Sequence, residues 1–237
     1  MSGFNFRITY RDVEKQRLGW TEGIQTHSAH HQTLFHYKRA FLLSSKDSCL
    51  QTQYRCLFNL GAEYVGAGKT KKGLKCLLRC MKVHKQSGWV DDGDLYLNIG
   101  LAYEGLQRLD KALPFLQRAV RSFKPNSPSS LGDALIKLSY CWVSLGERAV
   151  AGKSFAQAAK AYRQAGRRED AAMALREAAK HAILSGEASD RRVMELLQGC
   201  LEDCKDGGCD VRMRGTFKIT HPPLIPRLYQ LSSYPLQ

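Results

Sequence analysis

Apolar residues recur along this chain with two nested periods. Within short windows they fall at i, i+3, i+4 and i+7, the spacing that gathers side chains on one face of an α-helix. Over longer distances a whole pattern returns. Leu57–Tyr64 (LFNLGAEY), Tyr96–Tyr103 (YLNIGLAY) and Leu135–Trp142 (LIKLSYCW) align, and their central aliphatics Leu60, Ile99 and Leu138 are spaced by 39 residues twice in succession. Each segment is followed by a turn, at Gly66-Ala-Gly68, Gly105-Leu-Gln107 and Leu145-Gly146. A second apolar stripe then begins: Leu74, Leu77, Leu78 and Met81 in the first copy, Leu113, Leu116, Ala119 and Val120 in the next, and Ala151, Phe155, Ala158 and Ala159 in the third. Small residues at Gly61, Gly100 and Ser139 allow close approach of a neighbouring helix. The pattern predicts helix–turn–helix units, each with an apolar face too large to bury alone, so that the units must stack.

The periodicity weakens outward. One period on, Ala174, Ala178 and His181 occupy first-helix positions and Met194 and Leu197 second-helix positions, giving a divergent fourth unit over 168–204. Upstream, Thr33, Tyr37 and Ala40 fit a second helix over 31–47 whose own first helix is poorly formed; 1–30 is a divergent segment in which Arg11 to His27 lacks the signature. The expected units are therefore about 53–85, 92–123, 131–165 and 168–204. Asp110 is expected to cap the second helix of its unit, placing Pro114 in the first turn, where a missing N–H costs little. After Cys204 the pattern stops: Gly207-Gly208 breaks helix, and Pro222, Pro223, Pro226 and Pro235 make 205–237 an expected irregular or disordered tail. Neither end reads as a polar capping helix, so a truncated piece of a longer array is a further expectation.

These residues resemble the tetratricopeptide repeat. That family has Leu-Gly and an aromatic three residues later in helix A, then small, large apolar and small residues in helix B. Here the positions read Leu60-Gly61-Tyr64 with Gly73, Leu77 and Cys80; Ile99-Gly100-Tyr103 with Ala112, Leu116 and Ala119; Leu138-Ser139-Trp142 with Ala151, Phe155 and Ala158. The period exceeds the usual 34 residues, which makes the chain similar to the long-repeat, spindle-orientation adaptors. The resemblance covers about Thr33 to Cys204 and implies an all-α fold: a right-handed α-solenoid of antiparallel helix pairs.

Charge adds a statement about encounter. The chain carries 36 Lys+Arg against 22 Asp+Glu, a net +14, which favours acidic partners. Eight cysteines without a secretory signal fit a reducing, cytoplasmic or nuclear compartment better than a disulfide framework. No stretch approaches the ~18 uncharged apolar residues of a membrane span.

Candidate chemistry is sparse. Val65-Gly-Ala-Gly-Lys-Thr70 looks like the end of a phosphate-binding loop, but the required first glycine would stand at Glu63, and no strand precedes it. Cys76, Cys80 and His84 share a helical stripe, as expected of packing positions. Cys200, Cys204, Cys209 and His221 match no standard zinc module, and His27, His30, His31 and His36 read as a solvated helix face. No hydrolase, metalloprotease or dinucleotide motif is present. The expectation is a protein without catalytic residues, metal, cofactor or small-molecule substrate.

What the resemblance implies instead is a binding groove on the stacked A helices. Its positions map to Arg55, Phe58, Asn59 and Ala62, then Asp94, Leu97, Asn98 and Leu101, then Asp133, Ile136, Lys137 and Tyr140. In the long-repeat adaptors an asparagine before the Leu-Gly hydrogen-bonds the peptide backbone, and Asn59 and Asn98 recur there in register. The carboxylate clamp of chaperone-binding relatives is missing, since Ala62, Leu101 and Tyr140 replace its asparagines. The expected partner is an extended or helical peptide with apolar anchors, acidic in character. The alternative is RNA binding through Lys69, Lys71, Lys72 and Lys75 and through Arg163, Arg167 and Arg168, positions expected on solvated convex faces and without a per-repeat base code.

Overall fold

Each period folds into two antiparallel helices because its two apolar stripes face each other across a tight turn. The computed structural model describes residues 25–46, 49–89, 92–123, 127–187 and 189–206, and among these it contains nine α-helices and no strand. They are α1 (Gln25–Lys46), α2 (Leu50–Gly66), α3 (Thr70–Ser87), α4 (Gly93–Gly105), α5 (Leu109–Ser122), α6 (Pro128–Ser144), α7 (Arg148–Gln164), α8 (Arg168–Ser185) and α9 (Asp190–Asp206). After α1 they follow one another as the helix pairs α2/α3, α4/α5, α6/α7 and α8/α9. Helix α1 begins at Gln25, ahead of the expected 31, and α9 runs on to Asp206. Residues 1–24 and 207–237, on which the divergent segment and most of the expected tail fall, lie outside the described residues.

The turns explain the signature. Gly68, Gln107 and Gly146 occupy the left-handed region at φ 72°, 59° and 88°. The N–H of the following residue reaches back to the carbonyl of the signature aromatic, Lys69 to Tyr64 at 2.8 Å, Arg108 to Tyr103 at 3.0 Å and Glu147 to Trp142 at 3.0 Å. This is the helix-ending 6→1 bond that a left-handed residue makes possible. Val65–Thr70 is thus the end of α2, one of these turns and the start of α3. The α7–α8 connection uses the same device, with Gly166 at φ 72° and Arg167 N–H on the Tyr162 carbonyl at 2.9 Å.

One boundary differs from expectation. Helix α5 starts at Leu109 with Arg108 in the cap position, so Asp110 lies inside the first turn and does not cap. Pro114 consequently sits beyond the first turn, at an exposed position where water can serve the carbonyl it leaves unpaired. Asp92 does cap, accepting the Leu95 N–H at 3.2 Å.

Helices A and B meet closely. A Cβ added to Gly61 would stand 2.5 Å from Leu77 Cγ, and one on Gly100 2.7 Å from Leu116 Cδ2. In the third unit Ser139 is fully buried and returns its hydroxyl to the Leu135 carbonyl at 2.7 Å, so its polar atom costs little. Between α7 and α8 alanines dominate the contact: Ala151, Ala158, Ala159, Ala171, Ala174 and Ala178 share one buried cluster.

The last helix is fastened by charge. Asp203, 1% exposed at its side chain, accepts from Arg163 Nε at 2.7 Å and Arg168 Nη1 at 2.8 Å. Its outward face carries Glu195, paired to Arg191 and Arg192 at 3.3 and 3.2 Å, exposed Gln198 beside Glu202, and Leu201 at 37% exposure.

Candidate peptide-binding groove

The A helices α2, α4 and α6 touch one another in succession, so their exposed sides form one continuous face. The mapped positions divide by what they contact. On α2, Arg55 is exposed, while Phe58, Asn59 and Ala62 are half-buried. Phe58 stacks on Tyr54 with centroids 6.2 Å apart. The Asn59 side chain hydrogen-bonds Tyr37 of α1, whose phenol is pushed up by burial and by the Glu63 carboxylate.

On α4, Asp94 and Asn98 are half-buried. Asn98 Nδ2 donates to the Asp94 carbonyl at 2.8 Å, within its own helix. Its oxygen and second N–H are what it could offer a ligand. Leu97 and Leu101 are 8% and 6% exposed and pack with Ala134, Leu138 and Cys141 of α6, so they form floor, not protruding anchors.

On α6, Asp133 is tied down: it accepts from the Tyr162 hydroxyl at 2.8 Å and from Arg167 Nη1 at 2.9 Å. Arg167 also donates to Asp170 at 2.6 Å and Ser129 at 2.8 Å, and lies 4.4 Å from the Tyr162 ring centroid. Ile136 packs partly against the C-terminal core. Lys137 faces Glu104, whose carboxyl is pushed up by burial and held back by that lysine. Tyr140 is 42% exposed, its ring edge-on to Phe155 at 5.2 Å.

Several residues outside the mapped set hold this face in place. The Tyr54 hydroxyl bonds the capping carboxylate of Asp92, tying α2 to the start of α4. Burial, then that carboxylate, drives the Tyr54 phenol far above its ordinary range. Trp89 and His84 pack on Tyr54 at 5.4 and 5.7 Å. Arg163, Arg167 and Arg168, visible in the sequence as a basic cluster, pair with Asp203, Asp133 and Asp170, while Arg163 and Arg168 stay 37% and 44% exposed at their side chains. The acids lie 34 to 40 positions away in three of these pairings, a distance that local spacing does not reveal.

The cysteines pack as small apolar groups. Cys80 is fully buried and donates to the Tyr54 carbonyl at 3.4 Å; Cys200 donates to the Ala172 carbonyl at 3.2 Å and is pushed up to about 12 by burial and its neighbour Cys204. His84 is buried with neither ring nitrogen hydrogen-bonded. Cys209 and His221 lie outside the described residues.

Helix pairs of this length, joined by left-handed turns and stacked on small residues, define a helical-repeat array. Residues 93–124, spanning α4 and α5, match the tetratricopeptide repeat family. The chain is similar to BtubC (BKLC) from P. vanneervenii, with a TM-score of 0.65 at 14% identity over 90% of this chain and 91% of that one. It is also similar to nearly identical TPR-like repeats of a P. anserina kinesin light chain protein, with a TM-score of 0.61 at 12% identity over 84% of this chain and 96% of that one. The fold is an all-α solenoid of TPR-like helix pairs. Among the described residues no helix is long and apolar enough to cross a membrane.

Proposed function

We propose that this chain is a non-enzymatic protein-interaction scaffold that holds a peptide segment along α2, α4 and α6. The observation that carries the reading is the recurrence of Asn59 and Asn98, one period apart and half-buried on the same face. An asparagine there offers both donor and acceptor to a peptide backbone. Arg55, Asp94 and Lys137 supply charged edges, Phe58, Ile136 and Tyr140 apolar contact, Ala62 clearance, and Leu97 and Leu101 a floor. Asp133 serves as a rim fixed by Arg167. A partner with apolar anchors and acidic flanks fits this surface and the +14 charge. A reducing, cytoplasmic or nuclear setting belongs to the same proposal; the seven cysteines among the described residues are free thiols. So does a likeness to tetratricopeptide repeat protein 24, which Arg39–Lys46, Phe58–Val65 and Asn98–Tyr103 resemble.

The test is to select binders from a displayed peptide library with the 237-residue chain, then measure their affinity for the Asn59→Ala, Asn98→Ala variant. Loss of two backbone hydrogen bonds is expected to weaken binding about tenfold or more. Undiminished affinity would remove the asparagine clamp.

A further inference from the structure

We infer that the outer face formed by α1 and α3 docks on anionic lipid bilayers. The charge of this protein is not spread evenly. Residues 25–87 hold eleven Lys and Arg against two acids, whereas 88–206 hold seventeen against sixteen. Helices α1 and α3 contain no Asp or Glu at all. On α3 the residues Lys71, Lys72, Lys75, Arg79 and Lys82 are exposed, on the side opposite buried Gly73, Leu77 and Cys80.

The cations of the two helices converge. The Arg79 guanidinium lies 4.8 Å from the Phe41 ring centroid of α1, and Lys38 Nζ of α1 lies 5.8 Å from the Tyr64 ring. Half-buried Cys76 sits between them: burial pushes its thiol up, while Arg79, Lys38 and Lys75 oppose that rise. Helix α1 buries Leu34 and Ser44 toward the array and turns Phe35, Leu42 and Leu43 outward, 57%, 64% and 54% exposed, around exposed Arg39. Apolar side chains set among lysines and arginines, on helices that carry no Asp or Glu, are what an interfacial helix presents to a charged membrane.

Other polyanions fit less well. A phosphate backbone uses the cations but gives two outward leucines nothing to contact. An acidic helix needs a groove between helices, and the α1–α3 junction is occupied by Phe41, Arg79 and Cys76.

The experiment is co-sedimentation of the whole chain with phosphatidylcholine vesicles, with and without about 30% phosphatidylserine, at low and high salt. Partition is expected only with phosphatidylserine, and to fall steeply with salt. Lys71→Glu, Lys75→Glu, Lys82→Glu should reduce it by at least about tenfold, and Leu42→Ser, Leu43→Ser by about tenfold or more. Lys153→Glu, Lys160→Glu on α7, a charge change elsewhere on the surface, should leave it unchanged. Circular dichroism of each variant confirms that the helices persist. Absence of phosphatidylserine-dependent binding, equal loss in the α7 variant, or indifference to the leucines would overturn the proposal. So would RNA binding that outcompetes the vesicles and ignores Leu42 and Leu43.

Discussion

His181 is the residue through which acid should reach this fold. It is 3% exposed, stacks on Phe155 with the rings 7° from parallel and 5.6 Å apart, and leaves Nδ1 without a hydrogen-bond partner. Burial lowers its pKa first, and the Lys180 and Arg148 charges add to that; Glu177, 4.0 Å from Nε2, opposes them. A histidine whose folded pKa lies below its unfolded value binds its proton more readily when the chain is open. Its contribution to stability is therefore complete above the unfolded pKa and is lost as pH falls through the folded one. Thermal melts followed by circular dichroism should show a lower midpoint at about pH 5.5 than at about pH 7.5. His181→Gln should flatten part of that slope; an unchanged slope would place the acid sensitivity elsewhere. The repeat register places His181 at a first-helix position, but its stacking on Phe155 does not follow from that spacing, since Phe155 belongs to the preceding helix.

Two glycines on similar helices should answer oppositely to the same substitution. Alanine is favoured over glycine by about 1 kcal/mol within a helix, and that gain competes with what the new methyl meets. At Gly100 it meets fully buried Leu116 at 2.7 Å, and overpacking of this kind costs about 1–3 kcal/mol or more. Gly100→Ala should lower stability in urea titration. At Gly152, on the α7–α8 contact, the nearest atom is the Ala178 carbonyl oxygen at 3.4 Å, ordinary contact. Gly152→Ala should be neutral or stabilising by up to about 1 kcal/mol. Matching losses at both sites would show that α7 and α8 pack tighter than their geometry indicates. The contrast also shows what was legible beforehand. Gly61, Gly100 and Ser139 recur every 39 residues, so close A–B approach could be read from spacing alone. The alanine-lined α7–α8 contact could not, although Gly166 follows Gly146 by 20 residues, a repeat of the turn at half the main period. Of the groove, register identified which positions face one side of α2, α4 and α6. It could not say that α6 covers Leu97 and Leu101 or that Arg167 holds Asp133, because both depend on partners from other helices.

Across the described array the two terminal helices are held differently, and that asymmetry sets where unfolding should start. In a linear array each unit is held by its neighbours only, so an end can open while the rest stays folded. Among the described residues, helix α9 is covered by α8 and by the Arg163 of α7 that also donates to the Gly199 carbonyl at 3.1 Å. Its ionic attachment converges on a single buried carboxylate. Removing both arginines would leave Asp203 charged and without its pairing, a change that costs about 3–5 kcal/mol for a buried ion pair. Both arginines are more than one-third exposed, so solvent screens them and the lower end of that range applies. Arg163→Ala, Arg168→Ala should therefore accelerate amide exchange across α9 by roughly a hundredfold, since each 1.4 kcal/mol is a factor of ten. Exchange in α2 and α3 should be untouched, because the cluster around Leu77 and Ile99 shares no residue with the one that includes Cys200, whereas the cluster around Leu116 meets it through half-buried Val120 and Trp142. Loss of protection throughout would mean that the four units unfold as one body, and the charge clamp would then be a determinant of the entire array.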